Sequence, residues 1–143
     1  MSFPAILLPL FVQVFLTFAL LIWMATARER ALRGGEVRHV DIALRQRAWP
    51  ERVEQVSNAF ANQLELPLLF YVLVALALFT RKADFLFVVM SWMFVATRLF
   101  HAFVHTGSNV VRIRGGTFAV GAIILIIMWI IFAARILFAG MPG

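Results

Sequence analysis

Apolar residues in this chain come in four long runs, and polar residues gather between them. The runs are Phe3 to about Thr26, about Phe60 to Phe79, Phe85 to about His105, and about Phe118 to Phe138. Each supplies the roughly 20 residues that a helix needs to cross a hydrocarbon core about 30 Å thick. Lipid offers backbone groups no hydrogen-bond partner, so the runs are expected to be helices rather than open strands. The pattern predicts an all-α integral membrane protein, a four-transmembrane-helix bundle forming a single domain over residues 1–143. Ala25-Thr26-Ala27 is similar to a signal-peptide cleavage site. However, no basic residue precedes the first run, which is also longer than a signal core, so it is expected to persist as a helix.

The connections set a direction. The long first loop, residues 27–59, carries Arg28, Arg30, Arg33, Arg38, Arg45, Arg47 and Arg52, and the segment before the fourth run carries Arg112 and Arg114. The tight turn TRKAD carries only Arg81 and Lys82. Nine basic residues against two place the first and third connections in the cytoplasm and both termini on the other side. Arg135 can then snorkel to that far surface. Within the long loop, Gly34-Gly35 is a break and Trp49-Pro50-Glu51-Arg52 reads as a helix start, with Trp49 at headgroup level. Pro67 removes a backbone hydrogen bond and is expected to bend the second span beside Glu65.

Composition agrees with this picture and removes several alternatives. The chain of 143 residues is 63% hydrophobic and 14% charged, more apolar than a soluble domain of this size can hide. With no cysteine, disulfides, thiolate metal sites and a cysteine nucleophile are excluded. The net charge of +6 is mostly arginine, but the arginines lie between spans, where they mark a membrane side and meet anionic headgroups. No nucleic-acid-binding motif accompanies them.

Candidate chemistry sits inside the spans. Asn58, Asn62 and Glu65 are spaced i, i+4, i+7 and form one stripe on a helix, and Arg98, His101 and His105 form another at i, i+3, i+7. Glu65 and Arg98 both lie about 10–12 Å from the cytoplasmic ends of antiparallel spans, at 1.5 Å per residue. The expectation is that Arg98, helped by Asn62, pairs with Glu65. Two readings follow: a buried pair that only fixes helix register, or a polar cavity lined by both stripes and open to the cytoplasm. His101 and His105 have the i, i+4 spacing of metal ligands, but no HExxH motif supports a metal site. Arg112-Ile113-Arg114-Gly115-Gly116 is a basic turn at a helix start, suited to an anion rather than a nucleotide loop.

NQLELP in the second span, then RLFHAFVH and RIRGGTF, resemble the MAPEG superfamily, the membrane-associated proteins in eicosanoid and glutathione metabolism, and most closely its small bacterial members. The resemblance covers nearly the whole chain. It implies a homotrimer in a bacterial inner membrane, with glutathione bound between protomers near the cytoplasm and lipophilic substrates arriving from the bilayer lipids. On this resemblance Asn62 and Glu65 match residues that contact glutathione and Arg98 matches the arginine of the third span; Asn58, His101 and His105, on the same stripes, complete the candidate glutathione-binding set. Arg112 or Arg114 matches the arginine that activates the thiol, and Arg28 or Arg30 matches the basic residue after the first span. The chain departs from the family pattern at Asn58, where an arginine is usual, and at His105, where a tyrosine is usual. The implied activity is glutathione transfer to lipophilic electrophiles or reduction of lipid hydroperoxides. The alternative is a non-enzymatic trimeric membrane protein that binds lipid or a larger complex.

Overall fold

A computed structural model describes residues 1–44 and 48–139. Arg45 and Arg47, counted above among the loop arginines, lie outside the described residues. Five helices carry the fold: α1 Phe3–Arg33, α2 Glu51–Asn62, α3 Leu66–Phe79, α4 Phe85–Thr106 and α5 Val111–Leu137. A 3-10 turn at His39–Ile42 lies in the first connection. α1, the α2–α3 pair, α4 and α5 are each long and apolar enough to cross a membrane. α1 runs beyond its apolar stretch as far as Arg33, and α2 starts at Glu51, so much of the expected 27–59 loop is helical. Arginine and alanine are good helix formers, and nothing before Gly34 breaks the register.

α4 is the element around which the rest is arranged. It packs most extensively against α5 and also meets α1 and α2. Half of its most apolar stretch is buried, against 17% for α5, so α4 can carry a polar stripe inward. Its start is fixed by Asp84, whose Oδ1 accepts the Phe87 N–H at 2.9 Å. Its far end is capped by α2: the Gln55 side-chain amide donates to the carbonyls of His105 (2.8 Å) and Gly107 (3.0 Å), and Arg52 donates to the carbonyl of Thr106. Cations and donors at a helix C-terminus meet both its unpaired carbonyls and its negative dipole end. Gly121 lets α5 approach α4 closely: a Cβ there would meet Thr97 Oγ1 at 2.8 Å, with the aliphatic part of Arg98 alongside.

The apolar core is unevenly distributed. Phe70, Leu73, Val74, Phe87, Phe94, Val95, Leu125 and Met128 form one cluster toward the end that carries the termini. Toward the arginine-rich end two smaller clusters follow, one of Leu20, Ala59 and Ala102 and one of Ala31, Val37 and Val53. Between these two regions the second crossing is broken.

The break has a local cause. Pro67 stands in the first turn of α3 and has no N–H to return to α2. Residues 63–65 close by tighter bonds instead: Gln63 N–H to Phe60 O (2.9 Å), Leu64 N–H to Ala61 O (3.0 Å) and Glu65 N–H to Asn62 O (3.3 Å). The bend expected at Pro67 is thus a full interruption between Asn62 and Leu66.

Candidate functional site

The break removes the pairing expected between Glu65 and Arg98. Glu65 has φ −97° and ψ −102°, outside helical geometry, so the stripe begun by Asn58 and Asn62 does not continue to it. Its side chain is exposed on the bundle surface, and among the described residues no Glu65–Arg98 ion pair forms.

Arg98 is fully buried, and its Nη2 turns to Asn62 instead. It donates to Asn62 Oδ1 at 2.5 Å and more weakly to the Asn62 carbonyl at 3.4 Å. That carbonyl belongs to the last turn of α2, where the break leaves it only the 3.3 Å bond from the Glu65 N–H, so the guanidinium adds a cationic C-cap. The guanidinium carbon also lies 5.8 Å from the centre of the Phe118 ring. Two further nitrogens, Nε and Nη1, are buried with no hydrogen-bond partner among the described residues.

One turn along α4, His101 is 2% exposed. Its Nδ1 lies 3.1 Å from the Arg114 carbonyl and 3.2 Å from Thr117 Oγ1. A carbonyl only accepts, so the proton is assigned to Nδ1, which leaves Nε2 as the bare nitrogen of the neutral ring. That Nε2 is buried and unpartnered, as is Nδ1 of His105. The two imidazoles meet edge to face with ring centres 5.5 Å apart. Arg114 is half-buried and donates from Nη1 to Asn109 Oδ1 at 2.8 Å. Arg112 is exposed, so Arg114 is the arginine of that pair beside the histidines.

Buried polar groups in folded proteins are almost always paired, because an unpaired one costs about 1–3 kcal/mol. Here a buried guanidinium with two spare donors stands beside two imidazole nitrogens that are also spare. Such a cluster suits an anionic group, held by the donors and by the full positive charge. Over the chain as a whole, the MAPEG family model matches residues 6–134. This chain belongs to the MAPEG family. No curated protein and no solved structure matches it. Membership makes it a membrane protein of the eicosanoid and glutathione metabolism superfamily.

In this MAPEG protein the residues singled out from sequence divide into two groups. Asn62, Arg98, His101, His105 and Arg114 come together around the α2–α3 break and the start of α5. Arg28 and Asn58 instead line a separate cleft between α1 and α2, and Arg30 is exposed. Sequence reasoning missed the partners Thr117 and Phe118, and it missed a neutral pair beneath the break. Gln13 in α1 is fully buried and donates from Nε2 to Gln63 Oε1 at 2.9 Å, while Gln63 Nε2 donates to the Ala59 carbonyl at 3.1 Å. Gln13 was the available signal, a lone amide in an apolar run.

Proposed function

We propose that the Arg98–His101–His105 cluster is the polar half of a glutathione site. On this reading the protein is a glutathione-dependent transferase or peroxidase acting on lipophilic electrophiles or lipid hydroperoxides. The observation that carries the reading is the buried guanidinium of Arg98, whose Nε and Nη1 have no hydrogen-bond partner among the described residues. The orphaned atoms fit glutathione, a peptide with two carboxylates and a thiol. Arg98 would bind a carboxylate through Nε and Nη1, with Asn62 holding the guanidinium in place. His101 and His105 would complete the contact as hydrogen-bond acceptor or donor.

Glutathione would supply the attacking sulfur, which matters in a chain without cysteine. A free thiol has a pKa of about 8.5 and is mostly protonated at neutral pH; an adjacent arginine favours the thiolate. Arg114, the half-buried member of its pair, takes that role in the proposal, and the exposed Arg112 does not. Glu65 is exposed beside Leu64 and Leu68, at a depth where a lone carboxylate is costly. A homotrimer would cover it and place it against the amino group of a peptide bound at the seam. The charge placement supports a cluster on the cytoplasmic side with the termini opposite, and the family resemblance supports a bacterial inner membrane.

A second reading is favoured by the same Glu65, which lacks the pairing a preformed site would use, and by the departures at Asn58 and His105. It is a non-enzymatic trimer in which Arg98 only caps α2. Calorimetric titration of glutathione into the detergent-solubilised protein separates the two. Saturable binding that disappears in Arg98→Ala and Arg114→Ala supports the enzyme. Absence of binding at millimolar glutathione leaves the fold intact and removes the activity. Mass measurement of the detergent-stripped particle is expected to give three copies, and a monomer would sink the shared seam.

A further inference from the structure

The cleft between α1, the first connection and α2 is a second polar site, separate from the Arg98 cluster. Its volume is about 980 Å³, the size of a small-molecule pocket. Arg28, Trp49, Glu54 and Ser57 supply its polar and aromatic wall, and Met24 and Phe60 its apolar one. Two of these groups are buried and idle. Ser57 is 8% exposed and its Oγ has no hydrogen-bond partner among the described residues. Arg28 Nε is likewise buried and unpartnered, although its guanidinium lies over the Trp49 ring at 5.0 Å. A cation that stacks on an indole and still keeps an unused N–H is positioned for an anionic oxygen.

The placement identifies what supplies that oxygen. Arg28 lies two residues past the first apolar run, at the level where that run leaves the hydrocarbon. Trp49 belongs at the same headgroup level. Met24, one turn before Arg28, and Phe60, one turn beyond Ser57, offer apolar walls to what lies below. A ligand here has a charged head at the interface and a hydrocarbon body. Glu54 adds a carboxylate to the same cleft as Arg28. Among the described lining residues, this pair of opposite charges suits a headgroup that carries both signs. The Trp49 face, which would otherwise receive a quaternary ammonium, is already covered by Arg28. A primary ammonium with N–H donors for Glu54 fits better. We infer that this cleft binds one phosphatidylethanolamine per protomer, with its phosphate on Arg28 and Ser57 and its ammonium on Glu54.

Native mass spectrometry of the full-length protein in detergent, with phosphatidylethanolamine, phosphatidylcholine or phosphatidylglycerol titrated in, tests this directly. One phosphatidylethanolamine per protomer is expected to be retained at about tenfold lower concentration than either other lipid, as one or two charge-assisted hydrogen bonds allow. Arg28→Gln and Ser57→Val are expected to lose retention, and Arg33→Gln, on the exposed end of α1, to keep it. Glu54→Gln keeps the phosphate contact and is expected to erase the preference for ethanolamine over choline; this variant decides the matter even if Arg28→Gln fails to fold. Equal retention of all three lipids, or an unchanged preference in Glu54→Gln, overturns the assignment. Soluble glycerophosphoethanolamine binding as tightly as the lipid also overturns it, in favour of a free phosphate metabolite. Millimolar glutathione is expected to leave lipid retention unchanged; displacement would show that the cleft belongs to the peptide site. Failure of glutathione to bind the Arg98 cluster leaves this result untouched.

Discussion

Arg98 and Arg135 are both arginines within apolar helices, yet their surroundings are opposite. Arg135 lies near the end of α5 with its side chain 33% exposed. It meets Asp84 Oδ2 at 2.8 Å and approaches the Lys82 carbonyl at 3.5 Å. The same Asp84 caps α4, so a single carboxylate ties the start of one helix to the end of another. Arg98 is fully buried, has no carboxylate within ion-pair distance among the described residues, and keeps two nitrogens unused. Arg135 shows what an arginine looks like when its work is structural. The difference is that Arg98 keeps a buried charge and two unused donors, a costly arrangement that fits the binding role proposed for it.

Arg98→Met should break the comparison most sharply. The apolar side chain keeps much of the volume, removes an uncompensated charge, and leaves one carbonyl of α2 without its cap. The ligand-free protein is therefore expected to be about as stable as wild type, whereas glutathione affinity should fall about 10- to 150-fold, the worth of one charge-assisted contact at 1.5–3 kcal/mol. Thermal unfolding with and without glutathione reads both quantities. A large loss of ligand-free stability with no change in binding would make Arg98 a second Arg135.

The converse test acts at the other end. Asp84→Ala removes the ion pair, worth about 0.2–1 kcal/mol at this exposure, and the helix cap, worth about 1 kcal/mol. Stability should fall with glutathione affinity unchanged. Asp84→Asn, which can still cap, should lose only the smaller part. Chemical denaturation in mixed micelles measures each, and a loss of ligand binding in either variant would show that the two ends are coupled.

A smaller effect comes from pH. The hydrogen bond from Arg135 holds the Asp84 carboxyl below the usual carboxylate range. A carboxyl lowered in the folded state adds stability that is complete above its unfolded value, about 3.9, and is lost as pH falls through the lower folded value. Between pH 6 and pH 3 the difference in melting temperature between wild type and Asp84→Asn should therefore narrow. A gap that stays constant over that range would mean that the pair contributes nothing.

The least costly change should be the double variant Gln13→Leu with Gln63→Leu, which removes both ends of an uncharged hydrogen bond beneath the break. Such bonds are worth about 0.6 kcal/mol between helices in a bilayer. A drop much larger than that of Asp84→Ala would make the amide pair, rather than the ion pair, the main polar tie of the bundle.

The chain's apolar runs settled the number of crossings, because run length against bilayer thickness leaves few choices. They also settled where the arginines gather, because all of them except Arg98 and Arg135 lie outside the apolar runs. The stripes of Arg98, His101 and His105 were legible for the same reason: α4 is one uninterrupted helix, and spacing then fixes direction. Glu65 was not legible. Pro67 could be read as a bend, but only the folded chain shows that the helix stops at Asn62 and restarts at Leu66, rotating Glu65 outward and handing Arg98 to Asn62. The Gln13–Gln63 pair, the choice of Arg114 over Arg112, and the meeting of Arg28 with Trp49 and Ser57 join residues far apart in sequence or turn on which way a side chain faces. Periodicity within one helix carries no information about the face its neighbour presents, so those features were decided by packing alone.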